Sequence, residues 1–245
     1  MLRELLVRDL KLRYKRSYLG IAWTLVNPLA QVVVYSFVFR VLFRVNTPNY
    51  TANLFVGITC WAWFQASVLE STVSILSNRD LIRQPGFPAV LLPNVTVGSQ
   101  LIHFILTLPV LVGLILVSKI PITAAVLWLP FVIAVQYVLT LAFSLLAATV
   151  HVNFRDTQYL LGVFLMLGFF LTPILYDMQI VPPQFRAFYH LNPMTYVVDA
   201  YRAVLIRGAM PPILALTAVA TASGLLLYLC YQLFRRTSAN FAEAF

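Results

Sequence analysis

The chain opens with MLRELLVRDLKLRYKRS (Met1–Ser17) and passes through Gly20 and Asn27-Pro28 into the apolar run LAQVVVYSFVFRVLF (Leu29–Phe43). Leucines recur at helical spacing on one side of the first run, and charged residues line the other side. This pattern predicts an amphipathic helix along a membrane surface, followed by a first membrane span. The apolar part is longer than the roughly 7–15 residues of the apolar region of a signal peptide, and no small-residue cleavage site comes after it, which disfavours a signal peptide.

The polar stripe of this helix consists of Glu4, Arg8, Lys11 and Lys15. Six Lys and Arg residues precede the first span, and basic residues that flank a span stay on the cytoplasmic side. The N-terminus is therefore predicted to be cytoplasmic, which sets the direction of every later crossing.

Composition indicates an integral membrane protein. Of its 245 residues 61% are hydrophobic and only 10% are charged, and the mean hydropathy is +0.86; a soluble domain carries about 25% charged residues. The net charge of +9 comes from basic residues beside predicted spans, where chain orientation and anionic lipid account for it without nucleic acid. Cys60 and Cys230 are expected at different depths, too far apart for a disulfide.

Six stretches are apolar over about the 20 residues that a helix needs to cross a bilayer. They are Leu25–Phe43, Leu54–Leu76, Val95–Val117, Ile122–Thr149, Tyr159–Tyr176 and Ile213–Phe234. An even number of spans returns the C-terminus to the cytoplasm, and the predicted inner segments hold more Lys and Arg than the outer ones. The sequence thus predicts an all-α integral membrane protein with six transmembrane helices.

One inner connection, Ser77–Asn94, is too long and too patterned to be a simple loop. Its three prolines limit any helix to a short piece near Asn78–Gln84. The rest of the connection is expected to be a bent, semi-apolar return to the membrane.

One outer connection, Asp177–Pro212, is longer still. It contains Asn192-Pro193, a helix N-cap with proline at the first helical position. We expect a helix from there, half-buried near the outer membrane surface, with Asp199 and Arg202 paired at i, i+3.

No motif of a catalytic or nucleotide-binding site occurs in the sequence. It has no GxxxxGK[ST] phosphate loop, no HExxH, no CxxC and no GxSxG. The chain is therefore expected to be no enzyme and to hold no cofactor or metal, so that energy comes from a partner or a gradient. Glu70 and His103 are the candidates for a proton path within the spans; the alternatives are a carboxylate paired across an interface and a histidine in helix packing.

Aromatic residues crowd several predicted spans. Aromatic faces stack on sugar rings, and hydroxyl and amide groups bind sugar hydroxyls; the alternative is an ordinary role at membrane interfaces and in packing. The candidate channel- and substrate-lining residues are Gln31, Tyr35, Phe39, Trp61, Phe169 and Tyr176. Two pairs of small residues, Ser144 with Ala148 and Ala218 with Ala222, suit close helix contacts.

Five segments occur in a combination that resembles the permease subunit of bacterial ABC-2 type polysaccharide exporters, which serve O-antigen, capsule and teichoic acid. They are RDLKLRYKRSYLGIAWTLVNPL (Arg8–Leu29), NRDLIRQPGFPAVLLPN (Asn78–Asn94), NFRDTQ (Asn153–Gln158), LTPILY (Leu171–Tyr176) and NPMTYVVDAYRAVL (Asn192–Leu205). The resemblance runs nearly end to end and does not identify the polymer.

The resemblance implies one transmembrane domain over residues 1–245 that forms a homodimer in the bacterial cytoplasmic (inner) membrane. Two copies of a separate ATPase would bind ATP and Mg, and a lipid-linked polysaccharide would pass between the permease subunits. Residues 1–24 would form a cytoplasmic interface segment, residues 77–94 a coupling loop, and residues 177–212 short re-entrant helices that gate the outer mouth.

The same resemblance assigns roles to individual residues. The implied ATPase-coupling residues are Arg8, Lys11, Lys15, Arg79, Asp80, Arg83, Phe87 and Pro88, and the implied gate residues are Tyr196, Asp199 and Arg202. Gln84 departs from the expected pattern, since a second base is expected after Arg83. Two other functions stay open: an ABC-2 exporter of a small lipid or drug, and a proton-coupled carrier outside the ABC class.

Overall fold

The computed structural model describes residues 2–14, 20–42, 48–84 and 86–238. Over these ranges the regular elements are helices and no strand is present. In chain order the α-helices are α1 (Leu2–Tyr14), α2 (Trp23–Ser36), α3 (Tyr50–Ser77), α4 (Arg79–Ile82), α5 (Leu91–Val117), α6 (Leu129–Asn153), α7 (Thr157–Leu171), α8 (Pro183–Leu191), α9 (Pro193–Arg202) and α10 (Ile213–Ser238).

Short pieces of other helix types extend several of these elements. A 3₁₀ turn, Gly20–Ala22, leads into α2, and Ala124–Trp128 leads into α6. A third 3₁₀ turn, Met178–Ile180, lies between α7 and α8. α2 and α9 continue as π-helical segments through Phe37–Leu42 and Ala203–Arg207.

Five helical segments of the described chain are long and apolar enough to cross a membrane. They are Trp23–Leu42, Tyr50–Ser77, Leu91–Val117, Ala124–Asn153 and Ile213–Thr237. Each contains most of one predicted span, and the protein is therefore a multi-pass membrane protein; Phe43, the predicted end of the first span, lies outside the described residues.

The predicted fifth span, Tyr159–Tyr176, differs from the observed helix. α7 has 15 residues and ends at Leu171, and Thr172 after it has an extended backbone. Pro173 favours this end, because it lacks the N–H group that would continue the helix and disfavours helical backbone at the residue before it. At 1.5 Å per residue α7 is roughly 22 Å long, shorter than the roughly 30 Å hydrocarbon layer. The six-span topology thus stays a prediction.

α3 lies at the centre of the bundle. It packs against α5 on one side and α6 on another, α10 packs against α6, and α2 and α7 lie more peripherally against α3. Aromatic rings connect these layers: Trp63 of α3 stacks on Phe104 of α5 at 5.2 Å between centroids, and Phe104 meets Tyr201 of α9 edge-on at 5.6 Å. Tyr201 is fully buried, so α9 is part of the core.

Polar side chains connect the central helices as well. Gln136 of α6 donates from Nε2 to the carbonyl oxygen of Cys60 on α3 at 2.8 Å, and the Tyr137 hydroxyl donates to Oδ1 of Asn94 on α5 at 2.6 Å. Hydrogen bonds of this kind hold helices together where water is absent. Cys60 and Cys230 are both buried and free, as expected.

The two pairs of small residues have different positions. Ser144 and Ala148 of α6 are fully buried, as close helix contact requires. Ala218 and Ala222 of α10 are exposed. The second pair therefore does not serve helix packing among the described residues.

Candidate functional site

The N-terminal helix and the inner loop lie together at one end of the bundle. α1 packs along α5, where a Cβ atom on Gly98 would lie 3.1 Å from a methyl carbon of Leu6. Arg8 of α1, Asn78 at the α3–α4 junction and Thr96 of α5 line the same small cleft. The two segments that the sequence predicts to be cytoplasmic therefore form one continuous surface.

The charged residues predicted to couple to a partner are exposed on this surface. The exposed residues are Arg8, Lys11, Arg79, Asp80, Arg83 and Pro88, and Phe87 is half-buried. The short helix predicted near Asn78–Gln84 is observed as α4, Arg79–Ile82. Lys15 lies outside the described residues. The surface is open to a partner, and the coupling role of these residues stays a prediction.

Three of the six candidate lining residues meet in one aromatic cluster between α2, α3 and α7. The ring centroids of Tyr35 and Phe169 lie 6.2 Å apart, and those of Phe169 and Trp61 lie 6.4 Å apart. Trp61 is only 4% exposed, so its ring supports Phe169 from behind and does not lie at the surface of the chain. Gln31 is exposed on α2.

The other two candidate lining residues lie outside this cluster. Phe39 packs near Tyr50, with ring centroids 6.4 Å apart. The Tyr176 hydroxyl donates to the carbonyl oxygen of Phe170 at 2.6 Å and lies 2.8 Å from the Tyr189 hydroxyl. These two contacts connect the end of α7 to α8 through a single phenol.

Arg202 connects three backbone segments at the opposite end of the bundle from α1. Its Nη1 donates to the carbonyl oxygen of Pro173 at 2.7 Å, and its Nη2 donates to that of Ile174 at 2.8 Å. The same guanidinium reaches the carbonyl oxygen of Asn53 at 3.3 Å. The Tyr50 hydroxyl donates a hydrogen bond of 2.9 Å to a further carbonyl oxygen of the segment after α7, that of Leu175.

These bonds serve the irregular backbone that comes after α7. Residues 172–175 are buried, and their carbonyl groups lack helical partners because the helix has ended. An unpaired carbonyl group in an apolar medium costs several kcal/mol. Arg202 and Tyr50 remove that cost, and Gly57 leaves room for the guanidinium, since a Cβ atom there would lie 3.2 Å from Nη2.

Two of the five segments that carry the family resemblance are joined here. Asn192 donates from Nδ2 to the Thr172 hydroxyl at 2.8 Å, and its Oδ1 accepts from the backbone N–H of Met194 at 3.0 Å. The predicted N-cap at Asn192-Pro193 is therefore confirmed. The LTPILY and NPMTYVVDAYRAVL segments form one hydrogen-bonded unit.

The predicted pairing of Asp199 with Arg202 is wrong. Oδ1 of Asp199 accepts from Nη1 of Arg207 at 2.8 Å, and both side chains are about half exposed, at 47% and 49%. The guanidinium group of Arg202 instead donates to backbone carbonyl groups of distant residues. The i, i+3 spacing of Asp199 and Arg202 gives no indication of these contacts. Arg207 reaches Asp199 because α9 continues as a π-helical segment through Arg207.

A cavity of about 700 Å³ opens beside this pair. It lies between the start of α3, the segment after α7, and α9, and is lined by Tyr50, Tyr176, Tyr196, Asp199 and Arg207 among others. All three predicted gate residues, Tyr196, Asp199 and Arg202, line it. Hydroxyl groups, charges and aromatic rings thus converge on one space large enough for a small molecule.

Glu70 and His103 belong to one hydrogen-bonded chain across α3 and α5. Gln100 donates from Nε2 to Oε2 of Glu70 at 2.7 Å, and Oε1 of Gln100 lies 3.2 Å from Nδ1 of His103. The arrangement pairs the carboxylate across a helix interface. No group of three metal-ligating side chains occurs among the residues that the structure describes.

Sequence reasoning did not single out several residues of the outer site. Tyr50, Asn53 and Gly57 belong to the predicted second span or its entry, and nothing in their spacing indicates contact with residues more than a hundred positions away. Arg207 could be noted in the sequence only as one of the basic residues of the outer connection, which does not indicate its ion pair with Asp199.

A family profile and several known proteins match most of this chain. The profile of the ABC-2 type transporter family matches residues 2–206. The O-antigen export system permease protein RfbA of Myxococcus xanthus is 35% identical over 246 aligned residues, which cover 100% of this chain and 95% of that protein. Two proteins of Klebsiella pneumoniae with the same description are each 32% identical over 204 residues, or 83% of this chain and 79% of theirs.

Proposed function

Because the chain belongs to the ABC-2 type transporter family, we propose that it is the membrane-spanning permease subunit of an ABC exporter for a lipid-linked polysaccharide of the O-antigen type. The observation that carries the proposal is the match over the whole chain to an O-antigen export permease, at 35% identity. A match confined to the spans would follow from hydropathy alone, whereas this one includes both long connections.

The partner is a separate ABC ATPase, present in two copies, that binds ATP and Mg. Its docking surface is the end of the bundle where α1 meets the α3–α4 junction. Arg8, Lys11 and Arg83 are exposed there, beside Arg79, Asp80, Phe87 and Pro88. Lys15 extends the same basic stripe in the sequence. Charged groups on a rim guide a partner into register.

A homodimer forms the path for the glycan. α2 and α7 present broad exposed apolar faces, including Val33, Phe37, Phe164 and Phe170, and such faces need lipid or a second copy to cover them. The cluster of Tyr35 and Phe169, supported by Trp61, lies between these two helices. Gln31, Phe39 and Tyr176 complete the lining as the glycan passes between the two copies.

The chain crosses the cytoplasmic membrane six times and keeps both termini in the cytoplasm. α7 and the segment 172–176 together make the fifth crossing, which is compatible with irregular backbone because Arg202 and Tyr50 satisfy its carbonyl groups. α8 and α9 are re-entrant helices, too short to span, and the fully buried Tyr201 anchors them in the bundle.

Transport begins when ATP binding moves the partner ATPases together. The α1 surface and the loop around α4 transmit this movement to α3 and α5, to which they are directly connected. The two copies then separate along α2 and α7. The gate residues Tyr196, Asp199 and Arg202 move with them, and the outer end of the path opens.

The test is reconstitution of the purified chain with an ABC ATPase from the same organism. We expect the two to co-purify, and ATP hydrolysis to rise with lipid-linked glycan but not with small amphiphiles. Stimulation by small amphiphiles alone would indicate the exporter of a small lipid or drug. Nucleotide hydrolysis or uphill transport by the isolated chain would contradict the proposal.

A further inference from the structure

The last turn of α3 is closed by the side chains of Asn78 and Arg79. The last four carbonyl groups of a helix lack intrahelical partners. The backbone N–H of Asn78 bonds to the carbonyl oxygen of Ile75 at 3.2 Å, one residue later than in a regular α-helix. The carbonyl oxygen of Ser74, which loses this N–H, accepts from Nδ2 of Asn78 at 2.9 Å instead, and Nε of Arg79 donates to that of Leu76 at 3.2 Å. The asparagine side chain therefore replaces the bond that its own backbone no longer makes.

Asn78 is also the residue at which α4 begins. Its backbone, with φ −120° and ψ 39°, is not helical. Its carbonyl oxygen accepts from the N–H groups of Leu81 at 3.1 Å and Ile82 at 3.2 Å. Asparagine suits this position, because its short amide side chain bonds to neighbouring backbone groups. One residue thus ends α3, turns the chain and starts α4.

α4 is too short to hold its own direction. It has four residues, and a helix of this length is not stable by itself, because its first turn fixes several residues for a single hydrogen bond. The half-buried Ile82 packs against a hydrophobic cluster that contains Ile75 of α3 and Phe234 of α10. Asn78 at the start of α4 and Ile82 at its end therefore orient this helix against the bundle.

The direction of α4 decides which of its side chains face outward. Arg79, Asp80 and Arg83 are exposed, whereas Leu81 and Ile82 are half-buried. Rotation of so short a helix would move charged groups toward the bundle and apolar groups toward water, which is unfavourable for both. The charged surface that is proposed to receive the ATPase therefore depends on this direction.

We propose that Asn78 is a positioning residue of the permease: its side-chain amide fixes the direction in which α4 leaves α3, and thereby sets how much of the ATPase movement reaches α3. The inference rests on the proposed function and adds to it a residue that contributes no charge to the docking surface. Movement of α4 passes to α3 through the hydrogen bond between Nδ2 of Asn78 and the carbonyl oxygen of Ser74. Without that bond α4 turns while α3 stays in place, and ATP is hydrolysed without export.

Two substitutions separate the hydrogen-bond donor of Asn78 from the size of its side chain. Asn78→Leu keeps a side chain of similar size and removes the donor. Asn78→Ser is smaller, but its hydroxyl group can donate to the carbonyl oxygen four residues earlier, as that of Thr72 does to Val68 at 2.8 Å. Thr72→Val is the control, because the carbonyl oxygen of Val68 keeps its bond to the backbone N–H of Thr72 within α3.

The first measurement is the amount of glycan exported per ATP hydrolysed by the full-length chain, reconstituted with an ABC ATPase from the same organism. In Asn78→Leu this ratio should fall about fivefold, the factor that one ordinary hydrogen bond contributes to an equilibrium, while ATP hydrolysis continues. Asn78→Ser and Thr72→Val should keep the wild-type ratio. A merely structural role would reduce the amount of folded protein, so that hydrolysis and export would fall together and the ratio would not change.

The second measurement needs neither a partner nor a cargo. Hydrogen exchange of the purified full-length chain, read by mass spectrometry at labelling times of seconds, reports on the backbone amides of residues 79–84. Exchange there should be about fivefold faster in Asn78→Leu than in the wild type and unchanged in the other two variants. Unchanged exchange in Asn78→Leu, or faster exchange with a wild-type ratio of export to hydrolysis, would overturn the proposal. If the wild-type complex hydrolyses ATP and moves no glycan, the proposed cargo is wrong, whereas the exchange data still decide whether Asn78 orients α4.

Discussion

Nη1 of Arg202 donates a hydrogen bond of 2.7 Å to the carbonyl oxygen of Pro173. Pro173 ends α7 early, and Arg202 compensates for the backbone groups that this break leaves unpaired. The two residues therefore depend on each other: without the proline the carbonyl would belong to a helix, and without the arginine it would be buried unpaired. Gly57 makes the contact possible, because α3 lies close both to Arg202 and to Ile174, the residue after Pro173.

Replacement of Arg202 by Gln should destabilise the folded protein. The change removes charge-assisted bonds to the carbonyl groups of Pro173, Ile174 and Asn53, at a cost of about 3 kcal/mol or more. We expect a clearly lower midpoint of thermal unfolding in detergent. Arg207→Gln is the control, since an exposed ion pair contributes only about 0–1 kcal/mol; equal shifts in the two variants would contradict this role of Arg202.

Gly57→Ala should also be destabilising. The new methyl group would lie 3.0 Å from a methyl carbon of Ile174 and 3.2 Å from Nη2 of Arg202, and overpacking of this kind costs about 1–3 kcal/mol. Gly113→Ala on α5 is the matched control, because nothing lies within 4 Å of the added carbon there. That variant should unfold at the wild-type temperature or higher, and a Gly57→Ala variant as stable as Gly113→Ala would exclude the close contact.

Much of the helical architecture could be predicted from the sequence. Runs of apolar residues of sufficient length locate the five long helices, and Asn192-Pro193 locates the start of α9, because these signals are local. The predicted end of the fifth span differs from the end of α7 because Tyr159–Tyr176 is apolar throughout. Hydropathy does not register the helix-breaking effect of Pro173, although the proline itself is visible in the sequence.

The outer site could be predicted only in part. Tyr196, Asp199 and Arg202 do line one cavity, but their partners could not be inferred. Helical spacing placed Asp199 near Arg202, whereas Arg202 turns to carbonyl groups that are unpaired only because α7 ends before Pro173, 29 residues earlier in the sequence. Contacts between distant segments depend on the packed fold, and no spacing rule within one helix predicts them.

The ion pair between Asp199 and Arg207 should stabilise the closed outer mouth. Asp199→Asn removes the charge attraction, which is worth about 1 kcal/mol at most for an exposed pair, so opening should increase by up to about fivefold. Ion leak through the purified protein in liposomes would report it. Asp177→Asn, which keeps an oxygen to accept from the N–H of Gln179, is the control; an equal leak in both variants would reduce the Asp199 pair to a surface contact.

Charge reversal at Arg83 should lower export without preventing membrane insertion. Arg83 is exposed beside α4, and Arg83→Glu would replace attraction to an acidic partner surface by repulsion. Surface polysaccharide and co-purification of the ATPase should fall together. Arg236→Glu, exposed at the end of α10, should leave both unchanged, and wild-type export by Arg83→Glu would remove this loop from the coupling mechanism.

Glu70→Gln should preserve export. The amide oxygen of a glutamine can still accept from Nε2 of Gln100, which now lies 2.7 Å from Oε2 of Glu70, so the connection between α3 and α5 is retained while the titratable proton is lost. Gln100→Leu, in contrast, removes the hydrogen bond between α5 and this carboxylate and should lower the unfolding midpoint, since a hydrogen bond to a charged group contributes about 1.5–3 kcal/mol. The measurements are thermal unfolding and export in vesicles supplied with ATP, with and without an imposed pH gradient. A stable Glu70→Gln protein that loses export would favour a proton-coupled carrier, and so would wild-type export that needs the pH gradient and no ATP. If export needs ATP and the Glu70→Gln protein retains it, the carboxylate serves the pairing of α3 with α5.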